Sequence, residues 1–184
     1  MPAYRAALLN ALALLGISGL LGVAFLDQIV FSELPCPLCL LQRLAFVLAG
    51  FGFALNILLG PRPSHYALVI LSSLAGAAVA GRQTLLHIVP GSGAYGSPLF
   101  GLHFYTWAFI AFAAIVAGTA IVLMLDRQFE PSDFRGQAST PARRFMLAVV
   151  VLFGLLVAAN ALSTLLECSV GICPADPTGY ELLS

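Results

Sequence analysis

Five long apolar runs, nearly devoid of charge, constrain this 184-residue chain more than anything else in it. A helix crossing the hydrocarbon core of a bilayer needs about 20 apolar residues at about 1.5 Å of rise each. The runs Ala7–Leu26, Leu40–Leu59, Tyr66–Gly81, Phe104–Leu125 and Phe145–Leu166 answer that requirement, the third being the shortest. Turn or charge signals bound them: Asp27, Gly60-Pro61-Arg62-Pro63, Arg82, Asp126-Arg127 and Glu167. Only 9% of the residues are charged, against about a quarter in a soluble domain. With 60% hydrophobic residues, the chain holds more apolar surface than so small a globule can bury. The solvent for most of it is therefore lipid, and the expected fold is an all-α integral membrane protein. The first run is too long for a signal peptide's apolar core, and no small-residue cleavage site precedes the cysteines. Net charge is zero and lysine is absent, so there is no basic stripe for nucleic acid to bind.

Arginine sets the orientation, because short cytoplasmic loops are enriched in basic residues. If five helices alternate, Arg5, Arg62, Arg127, Arg135, Arg143 and Arg144 share one side, while Arg43 and Arg82 lie at helix ends on the other. The N-terminus is then inside and the C-terminus outside. All four cysteines (Cys36, Cys39, Cys168 and Cys173) fall on the outer side, which in a bacterial inner membrane is the periplasm, where disulfides persist. The segment Asp126–Arg144 reads as an irregular cytoplasmic linker, and Gln83–His103 as an apolar outer loop lying on the membrane surface. The whole chain reads as one membrane domain, with residues 167–184 as a cysteine-bearing periplasmic tail.

Within "ELPCPLCLLQR", residues 33–43, Cys36-Pro37-Leu38-Cys39 sits where the second helix begins. Proline is favoured in a first helical turn, where its missing N–H would have no intrahelical partner. The unsatisfied N–H groups and helix dipole there favour a thiolate. Arg43 is four residues after Cys39 and seven after Cys36, which places the three on one helical face. Snorkelling to headgroups is the plain alternative for Arg43, but its alignment with a CxxC favours chemistry. A zinc site needs all four thiolates to converge, and both the C-x4-C spacing and an oxidising compartment disfavour that. A purely structural Cys168–Cys173 bond would staple only a short tail, so redox chemistry is the better reading of the cysteines.

The stretch "ELPCPLCLLQR" resembles the active-site signature of the DsbB-type disulfide-bond formation proteins. "GRQTLL" at Gly81–Leu86 is similar to the end of that family's third helix, and "GLHFYTWAFIAF" at Gly101–Phe112 to its entry into the fourth. The resemblance covers the chain to about residue 125 and implies a four-helix-bundle core, here followed by a fifth transmembrane helix. It also implies a membrane quinone, ubiquinone or menaquinone, near a Cys36–Cys39 disulfide, with Arg43 interacting with it. Gln83 and His87, placed after the third helix, would border the same pocket. The implied activity is a protein-dithiol:quinone oxidoreductase that reoxidises a periplasmic thioredoxin-fold, DsbA-like partner. One departure stands out: the loop Gln83–His103, where the family's second cysteine pair belongs, contains no cysteine. A fifth apolar run delivers Cys168 and Cys173 instead, on a tail expected to act as a mobile arm. A vitamin K epoxide reductase-like enzyme also pairs a membrane CxxC with a second pair, but there the shuttle cysteines precede the active ones. A non-catalytic membrane scaffold or metal-binding protein is the remaining alternative.

Overall fold

The computed structural model describes residues 2–31, 33–89, 98–130, 138–169, 171, 173, 177 and 179–183. Its helices are α1 (Ala3–Val30), α2 (Pro37–Leu59), α3 (Pro63–Leu86), α4 (Phe104–Leu123) and α5 (Thr140–Cys168). Short 3₁₀ turns occupy Asp126–Phe129 and Glu181–Leu183. All five helices are long and apolar enough to cross a membrane, and the chain is an all-α integral membrane protein.

Several helices outrun the apolar segments that announce them. Asp27 lies inside α1, Arg82 inside α3, and Arg143 and Arg144 inside α5. A single charge near a bilayer surface does not stop a helix, because its side chain can reach outward while the backbone bonds continue. Arg82 is exposed on the outer face of α3, and the following residue, Gln83, turns inward on the same helix. The starts follow local chemistry more closely. Pro37, Pro63 and Pro141 all stand in first turns, and Ser139 caps α5 by accepting the Ala142 N–H. Gly60, at φ 92°, ends α2 in a conformation that side chains resist.

Contacts at the helix ends fix an up-and-down arrangement. At one end Asn10 on α1 donates to the Tyr66 hydroxyl on α3 (2.8 Å), and Asn56 on α2 donates to Asn10 (2.9 Å). Tyr66 in turn donates to Gln128 after α4 (2.8 Å). At the other end lie the last turns of α1, α3 and α5 and the first turn of α2. Small residues let the helices approach: a Cβ at Gly50 would overlap the Phe153 ring of α5, and one at Gly76 would overlap Phe112 of α4. Phe46 and Phe112 stack with ring centroids 3.9 Å apart, joining α2 to α4. The fifth helix packs chiefly along α1.

Candidate active site around the Cys36–Cys39 disulfide

Cys36 is the N-cap of α2, its backbone extended and its Sγ accepting the Cys39 N–H at 3.2 Å. Cys36 and Cys39 form one disulfide and Cys168 and Cys173 the other. The C-x-x-C spacing puts both sulfurs of the first pair across a single helical turn. Cys36 is 4% exposed, whereas Cys39 is half-buried. Behind this disulfide stands Gln83, fully buried on the last turn of α3. Its Nε2 donates to Cys36 Sγ at 3.3 Å and to Cys39 Sγ at 3.5 Å, while its Oε1 accepts from Gln42 Nε2 at 2.6 Å. Gln83 is thus a helical residue backing the disulfide, not part of the loop after α3. His87 lies one turn further on, its Nδ1 donating to the Gln83 carbonyl at 2.8 Å and its ring stacked on Tyr105.

Arg43 reaches sideways toward α1 and α5. Its Nη1 donates to Gln28 Oε1 (2.8 Å) and Asn160 Oδ1 (3.3 Å), and its Nη2 to the Ala24 carbonyl (2.8 Å). A guanidinium has five N–H donors, so among the described residues two remain for a ligand. Gln28, by contrast, has both donors engaged, its Nε2 donating to Ser163 Oγ (2.8 Å) and to the Tyr180 hydroxyl (3.2 Å).

A cavity of about 470 Å³ opens between α1, α2 and α4. Asp27, Glu33, Cys36, Cys39, Gln42 and Arg43 line its polar end, and the rest is mostly apolar, including Leu20, Phe46, Trp107 and Ile110. The volume falls in the range of small-molecule sites, which are mostly apolar with a few placed polar groups. Leu99 and Phe100, on the tight turn that precedes α4, form part of its wall. A flat apolar ring with carbonyl acceptors, such as a quinone, fits this donor set and shape. Of the residues singled out in the sequence, Cys36, Cys39 and Arg43 line the cavity; Gln83 touches the disulfide, and His87 packs on Tyr105, itself a lining residue.

The second pair lies at the same end of the bundle. Cys168 is the final residue of α5 and 4% exposed, which anchors it in the bundle rather than on a loose tail. Tyr180 docks on Gln28, and the turn at Glu181–Leu183 packs on α5. Much of the expected mobile arm, including residues 170, 172 and 174–176, lies outside the described residues.

Sequence reasoning missed the polar face that houses Arg43. Asn160, Ser163 and Glu167 are spaced by three and four along α5, so they share one face. That spacing inside an apolar run was the available signal. Glu167 does stand at the end of α5, but in its last turn and 0% exposed rather than facing water.

Fold and site together define a multi-pass membrane protein with two disulfides at one end, one of them at the mouth of an apolar cavity. Residues 6–94 match the family described as Disulfide bond formation protein DsbB. The chain is 43% identical to Disulfide bond formation protein B of Nitrosomonas eutropha over 79 residues, 41% of this chain and 49% of the relative. The protein of the same name in Hahella chejuensis is 45% identical over 83 residues, 43% and 50% of the two chains. That of Xylella fastidiosa (strain Temecula1) is 29% identical over 151 residues, 78% and 84%. In the first of these matches the chain spans about half the length of the curated relatives. No solved structure matches it significantly.

Proposed function

We propose that this protein is a thiol oxidase of the bacterial inner membrane, a protein-dithiol:quinone oxidoreductase supporting disulfide-bond formation. The observation that carries the reading is the Cys36–Cys39 disulfide at the mouth of an apolar cavity that Arg43 also lines. Both pairs face the periplasm in this reading, with the N-terminus inside, as the distribution of arginines favours.

A periplasmic thioredoxin-fold dithiol, DsbA-like in kind, attacks the Cys168–Cys173 disulfide through a mixed disulfide and leaves oxidised. The dithiol so formed on α5 and its tail then reduces Cys36–Cys39 by a second exchange. Gln83 holds the two sulfurs of that pair from behind. Arg43 offers its remaining N–H donors to a carbonyl or developing anion in the cavity, where a fixed cation counts for more than in water. A quinone bound there supplies the two-electron oxidant that restores the disulfide.

The test is quinone reduction by purified protein in mild detergent, driven by a reduced thioredoxin-fold donor. Wild type turns over, and Cys36→Ser and Cys168→Ser both fail. Turnover in Cys168→Ser would remove the C-terminal pair from the route, and absence of turnover in wild type with several donors and quinones would remove the oxidase reading.

A further inference from the structure

Glu167 has no role in the relay described so far, yet it is the most conspicuous polar group in the bundle. It is 0% exposed, and neither carboxylate oxygen has a hydrogen-bond partner among the described residues. Buried polar atoms without partners are uncommon and each needs a reason. Balancing the charge of Arg43 is the plain one, since the two interact electrostatically. But Arg43 spends its contacts on three neutral oxygens, those of Gln28, Asn160 and Ala24, and makes no hydrogen bond to Glu167. The carboxyl is left with both oxygens able to take a proton. The next residue in the chain is Cys168, 4% exposed. Attack on a disulfide requires a thiolate, and a thiol so enclosed has little access to bulk water to receive its proton.

Resting on the two-pair relay, we infer that Glu167 is the internal base for exchange between the pairs. Its carboxylate takes the proton of the Cys168 thiol, and the Cys168 thiolate attacks a sulfur of Cys36–Cys39. That S–S bond breaks, a mixed disulfide forms, and the departing sulfur recovers the proton from the Glu167 carboxyl. The Cys173 thiol then attacks Cys168 in the mixed disulfide, closing Cys168–Cys173 and passing its own proton to the sulfur released. Two electrons move from the C-terminal pair, which is oxidised, to Cys36 and Cys39, which are reduced. The count of protons is unchanged.

The experiment needs no quinone. Quinone-depleted protein is mixed with a reduced thioredoxin-fold donor, quenched with acid at intervals and alkylated, and the redox state of each pair is read by mass spectrometry. In wild type, reducing equivalents appear first at Cys168/Cys173 and then at Cys36/Cys39. In Glu167→Gln, which keeps the size but not the base, the first event is unchanged and the second slows by about 100-fold, within the range of general-base effects. Glu167→Asp recovers part of the rate. Raising the pH also recovers the Gln variant, because hydroxide then makes the thiolate. The charged group acting on Glu167 is Arg43 on α2, which Asp27 on α1 and Tyr180 in the tail also act on; all are kept in every variant and act on each curve alike. Transfer at the wild-type rate in Glu167→Gln overturns the base while leaving the relay standing. Equal slowing in the Gln and Asp variants at every pH also overturns it, since that marks a packing role. If wild type never passes equivalents from one pair to the other, the relay and the base fall together.

Discussion

Arg43 and Gln83 lie near one disulfide and make very different contacts: Gln83 touches its sulfurs, and Arg43 does not. Arg43 holds three acceptors on neighbouring segments of α1 and α5. Arg43→Met should therefore slow quinone reduction while leaving dithiol exchange in place, and unchanged quinone turnover would deny it that role. The same change strips Gln28 and Asn160 of their donor, at about 1–3 kcal/mol for each buried acceptor left unpaired. Thermal unfolding in detergent should register the loss. Gln83 acts from the opposite side. Gln83→Leu removes the donor to both sulfurs and orphans Gln42 Nε2. The reduced protein should then be alkylated several-fold more slowly at Cys36 and Cys39, a rate that timed quenching measures directly. That Arg43 lies beside the same cavity as the two cysteines was legible in the sequence, since i, i+4 and i+7 alignment is a local fact. Its partners were not, because Gln28 and Asn160 are far away in the chain and carry no motif. A single asparagine in an apolar helix looks the same whether it faces lipid, backbone or a guanidinium.

The helices themselves were read correctly in number and roughly in place, because a bilayer demands a length that composition reveals. Their ends were harder. The α3 segment was expected to stop at Gly81 and instead runs to Leu86, which moves Gln83 from a loop to a rigid last turn. Arg82 hid this, since an outward-facing charge in sequence looks like an end. Helix packing was not legible at all, for a glycine at a contact resembles a glycine facing lipid. Gly50 and Gly16 differ only in what they meet: the Phe153 ring for one and open space for the other. Gly50→Ala should push α5 away from α2 and destabilise the bundle by about 1–3 kcal/mol, the usual range for overpacking. Adding Phe153→Leu should restore part of that stability, since residues in contact do not act independently. A paired measurement of the single and double variants by thermal unfolding checks both statements, and Gly16→Ala supplies a control with no neighbour to displace.

Taken as a whole, the molecule gathers its two disulfides at one end and has a separate polar tie at the other. The tie of Asn10, Asn56, Tyr66 and Gln128 joins α1, α2, α3 and the turn after α4, far from either disulfide. If the arginine count gives the correct orientation, a cysteine placed at Arg127 in a cysteine-free background should be shielded from a membrane-impermeant thiol reagent in intact cells. One placed at Glu33 should react. The reverse pattern would invert the topology and put both disulfides in the reducing compartment.

The way Arg43 is housed also bears on how the chain is made. Membrane helices enter the bilayer in order of synthesis, and α1, with Gln28 and the Ala24 carbonyl, is in place before Arg43 arrives on α2. Two of the acceptors of the cation thus precede it in the chain. Asn160 and the enclosed acid at Glu167 come last, on α5, into a groove that already contains the opposite charge. Inserted in chain order, Arg43 and Glu167 would each follow a group that offsets its charge, so the order of the helices would ease assembly.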